Sequence, residues 1–236
     1  MVTDDNSLAL TNGELVVTGR LVDASNATLY ATSTLNEQSI VCIYKPIAGE
    51  RPLWDFADGC LAHREYAAFL VSEQLGFNLV PLTILREGPF GLGMVQEWID
   101  IDTSVDLASF FSSDDARLRK MALFDAVINN TDRKIGHLLP HVDGTVYGCD
   151  HGVTFHQENK LRTVLWQWAG SAISEVEEEA LVLLLSEIKS NRLDNLSDLI
   201  TESEISALIL RIEDLLTTKS FPLPSQEWPA IPWPAF

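Results

Sequence analysis

The feature that most restricts this chain is a change of hydrophobic rhythm near Ile101. Before it, Glu14-Leu15-Val16-Val17-Thr18-Gly19-Arg20-Leu21-Val22 is rich in β-branched residues and is broken by Asp23-Ala24-Ser25-Asn26. The pattern resumes from Ala27 to Thr34, turns at Asn36-Glu37, and continues as Ser39-Ile40-Val41-Cys42-Ile43-Tyr44-Lys45, closed by Pro46. Tight connections between such runs predict a small antiparallel sheet. A helix is predicted over 61–75 with Gly76 as its stop, and a further hairpin over 80–85 and 93–99 around Glu87-Gly88-Pro89. After Ile101 the apolar residues recur with a period of about 3.6, which predicts helices. These fall over 115–130, 175–191 and 202–216. A chain that is strand-rich first and helical afterwards is an α+β protein with segregated regions. The expected divisions are a sheet region with one helix over 1–100, a helical region over 101–220, and an extended Pro/Trp-rich tail over 221–236. Proline keeps that tail from being helical, and its aromatic residues favour docking on the body.

Composition narrows the function. Of 236 residues 46% are hydrophobic, enough for a core, so a disordered chain is excluded. No apolar run reaches the roughly 18 residues of a membrane span. Met1-Val2-Thr3-Asp4-Asp5 lacks the basic-then-apolar order of a secretory signal, so a soluble cytoplasmic protein is expected. Cys42, Cys60 and Cys149 are an odd, scattered set that suits neither a disulfide framework nor a zinc site. With 16 Lys and Arg against 34 Asp and Glu, the net charge of −18 repels nucleic acid and anionic lipid.

Unusual polar residues collect between Asn129 and Gly152. Asn129-Asn130-Thr131-Asp132-Arg133-Lys134-Ile135-Gly136-His137 follows a predicted helix, and Val146-Tyr147-Gly148-Cys149-Asp150-His151-Gly152 follows a turn at Gly144. A loop carboxylate, a possible metal ligand five positions later and an Asp-x-Gly after a hairpin are the parts that phosphoryl transfer requires. One acid orients the attacking hydroxyl, while the other two groups hold a divalent ion on the phosphates.

On these residues the chain resembles the phosphatidylinositol 3-/4-kinase-like branch of the protein-kinase-like fold, in particular a small bacterial family. The resemblance runs from about Gly19 to Gly152 with its elements in the family's order. It implies a two-lobed fold, with a small antiparallel β lobe and a mainly helical one. It also implies ATP and Mg²⁺ or Mn²⁺ as cofactors, and a protein or soluble small molecule as acceptor. Asp132 would be the catalytic acid, with His137 and Asp150 as metal ligands. Lys45 would grip the α/β-phosphates, braced by Glu65, and Ser25 and Asn26 would tip the phosphate-covering hairpin over 19–29. The backbone of Gln96-Glu97-Trp98 would hold adenine. The chain departs from the family in lacking a G-x-G-x-x-G hairpin and in having His137 where Asn is usual, a change toward ligands that suit Mn²⁺. The short stretch after Gly152 leaves acceptor recognition to Lys160, Arg162, Trp166 and Trp168, the two tryptophans being equally candidates for packing. Alternative readings are a nucleotide-binding module without turnover and an AMP-transferring enzyme built on the same residues.

Overall fold

The computed structural model describes residues 5–21, 26–56, 58–193 and 195–236. Its first element is α1 (Asp5–Asn12), a short helix for which the hydrophobic pattern gives no signal. Ala9 and Leu10 seat it on the sheet, where Ser33 Oγ donates to the Ala9 carbonyl at 2.7 Å. The strands β1 (Glu14–Arg20), β2 (Leu29–Leu35) and β3 (Gln38–Pro46) follow as an antiparallel meander. Along β2 burial alternates, with Leu29, Ala31 and Ser33 inward, as the two-residue strand period requires. The β2–β3 turn runs through Asn36 at φ 55°, a left-handed position that asparagine tolerates. The second hairpin, β4 (Thr83–Gly88) and β5 (Gly91–Glu97), joins the first because β5 pairs with β3. The result is one five-stranded sheet, ordered β1-β2-β3-β5-β4.

Between β3 and β4 lies α2 (Leu61–Gln74). Both oxygens of Glu50 accept from its first N–H groups, Leu61 N at 2.9 Å and Ala62 N at 2.8 Å, so a distant carboxylate caps it. Its apolar face, Ala67, Ala68 and Val71, packs in the core of the helical part rather than in that of the sheet. Arg64, on the same helix, is buried and pairs with Glu204 of α7 (Glu202–Thr218).

The helical part also contains α3 (Leu107–Phe110), α4 (Ala116–Ile128), α5 (Glu175–Lys189) and α6 (Leu196–Leu199). A small hairpin, β6 (Leu138–Pro140) with β7 (Val146–Gly148), interrupts it. Capping boxes fix the starts of α5 (Ser174, Glu177) and α7 (Thr201, Glu204). In α4 every residue from Met121 to Ile128 is buried, which makes it the central helix. One of them is Asp125. Its carboxylate meets the wholly buried Arg133, with Nη2 at 2.9 Å from Oδ1. After α7 the chain runs back extended, as its prolines dictate. The Ala230 carbonyl accepts from Thr163 N (3.0 Å) and Trp166 Nε1 (2.9 Å), and the Ala235 carbonyl accepts from Ile135 N (2.9 Å).

Removing one member of a fully buried ion pair leaves the other charged and unsolvated. Asp125→Ala is therefore expected to cost about 3–5 kcal/mol of folding stability, measurable as a lowered urea midpoint.

Candidate active site

The β3 strand ends at the cleft, and its register points Lys45 toward α2. Nζ donates to Glu65 Oε1 at 2.5 Å and to Asp150 Oδ1 at 2.9 Å, so one ammonium bridges two carboxylates from distant segments. Glu65 is buried, and its second oxygen accepts from His151 N at 2.8 Å. Burial works against the charge of Lys45, yet Asp150 and Glu65 together hold its ammonium well above the ordinary lysine value. Lys45 in turn keeps the Asp150 carboxyl well below the usual carboxylate range.

Asp150 follows β7 at φ 62°, a left-handed conformation that a non-glycine residue adopts only when its surroundings impose it. Here they do. Cys149 N donates to the His137 carbonyl at 3.1 Å, and Arg133 Nη1 donates to the Cys149 carbonyl at 3.2 Å. Two residues on, a Cβ at Gly152 would stand 3.1 Å from Leu61 Cβ, so glycine lets the segment pass close over the start of α2.

Asp132 sits on the loop after α4. Its N–H donates to Asn130 Oδ1 at 3.0 Å, and Lys134 Nζ lies 3.2 Å from its Oδ2. Burial raises its carboxyl above the ordinary aspartate value, against the pull of Lys134. His137 Nε2 faces Asp150 Oδ2 at 3.6 Å, Lys134 N–H donates to Nδ1 at 3.5 Å, and burial pushes the imidazole down to about 4, so it is neutral at physiological pH. Among the described residues no group of three or more His, Cys, Asp and Glu is placed to hold a metal ion. Asp150 and His137 are the pair here that could hold a divalent ion, the carboxylate suiting a hard ion and the imidazole a softer one such as Mn²⁺.

Two cavities meet here. The larger, about 450 Å³, is lined by Lys45, Glu65, Asp132, His137 and Asp150 together with Asn26. The smaller, about 300 Å³, lies under β5 between Ile43, Leu139 and Trp98. They share Thr28, Lys45, His137 and Asp150. The predicted residues Gln96, Glu97 and Trp98 line the smaller one. Gln96 is buried, its Nε2 donating to Thr83 Oγ1 at 2.9 Å. Backbone N–H groups of the linker are already engaged: Glu97 N with the Leu82 carbonyl (2.9 Å) and Trp98 N with that of Val41 (3.0 Å). A base held there would use backbone carbonyls and Ile99 N–H, for which no acceptor occurs among the described residues. At the hairpin tip Asn26 Oδ1 accepts from Arg51 N at 2.9 Å, whereas Ser25 lies outside the described residues.

The residues proposed for acceptor recognition divide. Trp168 is buried with Nε1 on Asp114 (3.0 Å), and Trp166 is held by the tail, so both are packing residues. Lys160 is buried beside His156 (3.2 Å) and between the rings of Trp54 and Trp228. Arg162 alone of the four lines the cavity. Sequence reasoning gave no role to Asp125, Arg133 or His151, which hold the site from behind. An acid amid the apolar residues of the predicted 115–130 helix was the available signal.

A five-stranded antiparallel sheet against a helical part, with a strand lysine, a helix glutamate and two loop aspartates at their junction, is the protein-kinase-like fold. Solved structures agree at low identity. The Golgi casein kinase with Mn/ADP bound superposes with a TM-score of 0.59 at 13% identity, over 92% of this chain and 76% of that one. Hydra Fam20 with sugar gives 0.56 at 13%, over 92% and 89%. The Helicobacter pylori proinflammatory kinase CtkA gives 0.50 at 14%, over 90% and 94%. Protein Rv2133c of Mycobacterium tuberculosis is 45% identical over 268 residues, spanning 99% of this chain and 96% of that protein, and this chain belongs to its family. No family model matches the chain. Among the described residues no helix is long and apolar enough to cross a membrane.

Carboxyl titration followed by NMR should place Asp132 above the ordinary value of about 3.9, with Asp150 ionised well below it. Equal values for the two would contradict the environments described.

Proposed function

We propose that the protein is an ATP-dependent phosphotransferase of the phosphatidylinositol 3-/4-kinase-like type, acting on a hydroxyl of a protein or soluble small molecule. One observation carries this reading: Asp132 and Asp150, from separate segments, line a single cavity with the Lys45–Glu65 pair. Binding of Mn and ADP by the Golgi casein kinase agrees with it. The base lies in the smaller cavity, and the phosphates extend to the residues that both cavities share. Lys45 holds the α/β-phosphates, its position fixed by Glu65. Asp150 and His137 would hold a divalent ion, which would supply positive charge to offset the charge that builds on the phosphates. Asp132 lines the same space, and in its ionised form it accepts the hydroxyl proton as the acceptor oxygen attacks the γ-phosphorus in line. The bond to the β–γ bridging oxygen breaks, and ADP departs with its electron pair.

Asp132→Asn should lower kcat by about 10²–10⁴ while nucleotide affinity is retained. Unchanged turnover in that variant removes Asp132 from its role. Because burial raises the Asp132 carboxyl and only its ionised form accepts a proton, kcat/KM should fall with decreasing pH while still above the ordinary aspartate value of about 3.9. Calorimetric ATP titrations with Mg²⁺ and Mn²⁺ in parallel test the ligand set, and a preference for Mn²⁺ is expected from the imidazole. Label followed from the α- or γ-phosphate separates phosphoryl from AMP transfer. A second reading, nucleotide binding without turnover, is favoured by His137 standing where the resemblance implies asparagine. It predicts thermal stabilisation by ATP and metal with no label transferred.

A further inference from the structure

In a chain with 34 acidic residues and 16 basic ones, a basic side chain has no shortage of partners. Most of the lysines and arginines are indeed ion-paired, among them Arg64, Arg119, Arg133 and Lys219. Arg86 and Arg211 donate to carbonyls instead, and Lys120 rests on the Phe77 ring. Among the described residues the side chains of Arg20, Arg51 and Arg162 have neither a hydrogen-bond acceptor nor an ion-pair partner, although the charge of Arg162 acts on Asp132. Arg20 is on the outer surface of β1, but Arg51 and Arg162 line the same cavity as Asp132.

Arg162 is placed there deliberately by the backbone. Its N–H donates to the Asn130 carbonyl (2.9 Å), and its carbonyl accepts from Arg133 N (3.0 Å), so it is clamped to both sides of the Thr131–Asp132 step. The residue is half-buried, and the guanidinium carbon lies over the Trp228 ring, 6.0 Å from its centroid. Arg162 thus brings a guanidinium without an ion-pair partner to the cavity that Asp132 lines, where its charge pulls on the Asp132 carboxyl, and its free N–H groups point to a ligand that supplies the acceptor. Guanidinium is the group that matches phosphate and carboxylate oxygens in pairs.

We infer that the part of the cavity beyond Asp132 is an anion subsite. The phosphoryl acceptor is then a small hydroxyl compound bearing a phosphate or carboxylate group, held by Arg162 and Arg51 with its hydroxyl at Asp132. This rests on the phosphotransferase reading and adds the acceptor class to it. The acceptor oxygen forms the new bond to the γ-phosphorus, its proton passes to Asp132, and ADP leaves, so the anionic group is a handle that takes no part in the chemistry.

The test uses the full chain saturated with the β,γ-imido analogue of ATP and Mn²⁺, which fills the nucleotide's own phosphate positions. Inorganic phosphate is then titrated by calorimetry. Wild type should bind it, and Arg162→Gln and the exposed-site variant Arg51→Gln should each weaken it, Arg162→Gln by about tenfold or more, the loss of a charge-assisted bond. Melting temperatures establish that both variants are folded. Phosphate binding that is absent, or unaltered in both variants, overturns the subsite. So does loss of analogue affinity in Arg162→Gln, which would assign that arginine to the nucleotide. Binding to phosphatidylglycerol vesicles, or to an acidic peptide, without binding of free phosphate overturns the small-molecule assignment. Failure of the analogue itself to bind counts against the phosphotransferase reading instead, and phosphate titrated alone against wild type and Arg162→Gln then still decides the anion site.

Discussion

Arg133 is the side chain from which the geometry of the cleft is suspended. Its guanidinium is wholly buried and uses its fork on several segments at once: Nε and Nη2 on Asp125 of the central helix, Nη1 on the Cys149 carbonyl, and Nη2 on His151 Nε2 at 2.7 Å. A buried ion pair gains little net stability, because desolvation offsets most of the attraction. Its consequence here is positional. Arginine can only donate, so His151 Nε2 must accept, which leaves the proton on Nδ1, the nitrogen that lies 3.9 Å from Glu65 Oε2. Burial, with Arg133 beside it, holds His151 well below the ordinary histidine value, consistent with a neutral ring. From α4 to β3 there is thus a continuous chain of contacts: Asp125, Arg133, His151, Glu65, Lys45 and Asp150. It fixes the relative placement of the two loops that carry the acids.

The end of that chain has a charge imbalance with chemical meaning. One ammonium, Lys45, serves two carboxylates, Glu65 and Asp150, while His137 beside them is neutral. The cluster therefore retains surplus negative charge at the mouth of the cavity, where Asp150 has a side chain about half exposed. In the proposed reaction a divalent cation with nucleotide phosphates would restore balance, the ion neutralising the carboxylate and the phosphates taking the ammonium. The same cavity is also lined by Arg51 and Arg162, so a molecule of net charge −18 keeps two guanidinium groups without ion-pair partners beside these carboxylates, where long-range repulsion matters less than direct pairing.

Much of this was legible in the chain. The strands, the 61–74 helix and the three long helices follow from hydrophobic period and turn residues, and their ends differ from expectation by a few residues at most. The convergence of Lys45, Glu65, Asp132, His137 and Asp150 on one cavity follows the order in which the resemblance places a strand lysine, a helix glutamate and two polar loops. What stayed hidden depends on tertiary partners. Short helix α1 is stabilised by the sheet beneath it rather than by its own eight residues. The apolar neighbours of Asp125 mark it as a buried acid but not its partner, and nothing local distinguishes Trp166 from a substrate platform until Arg133 and the tail are in place. The engaged N–H groups of Glu97 and Trp98 likewise follow from strand register, which side-chain pattern does not encode.

The Pro-rich tail shows how an unpromising composition can serve the same site. Loops near a catalytic centre expose backbone donors that must be satisfied if the loop is to stay in one conformation. Proline has no N–H but keeps its carbonyl, so a segment rich in it presents mainly acceptors. The tail meets just such donors: Ile135 N, between Asp132 and His137, and Thr163 N, next to Arg162. Trp228 adds an aromatic face against Lys160 and Arg162. An extended strap that accepts hydrogen bonds and stacks on cations therefore braces the Asp132 loop from outside while the Arg133 network braces it from within, and Asp132 is held between the two.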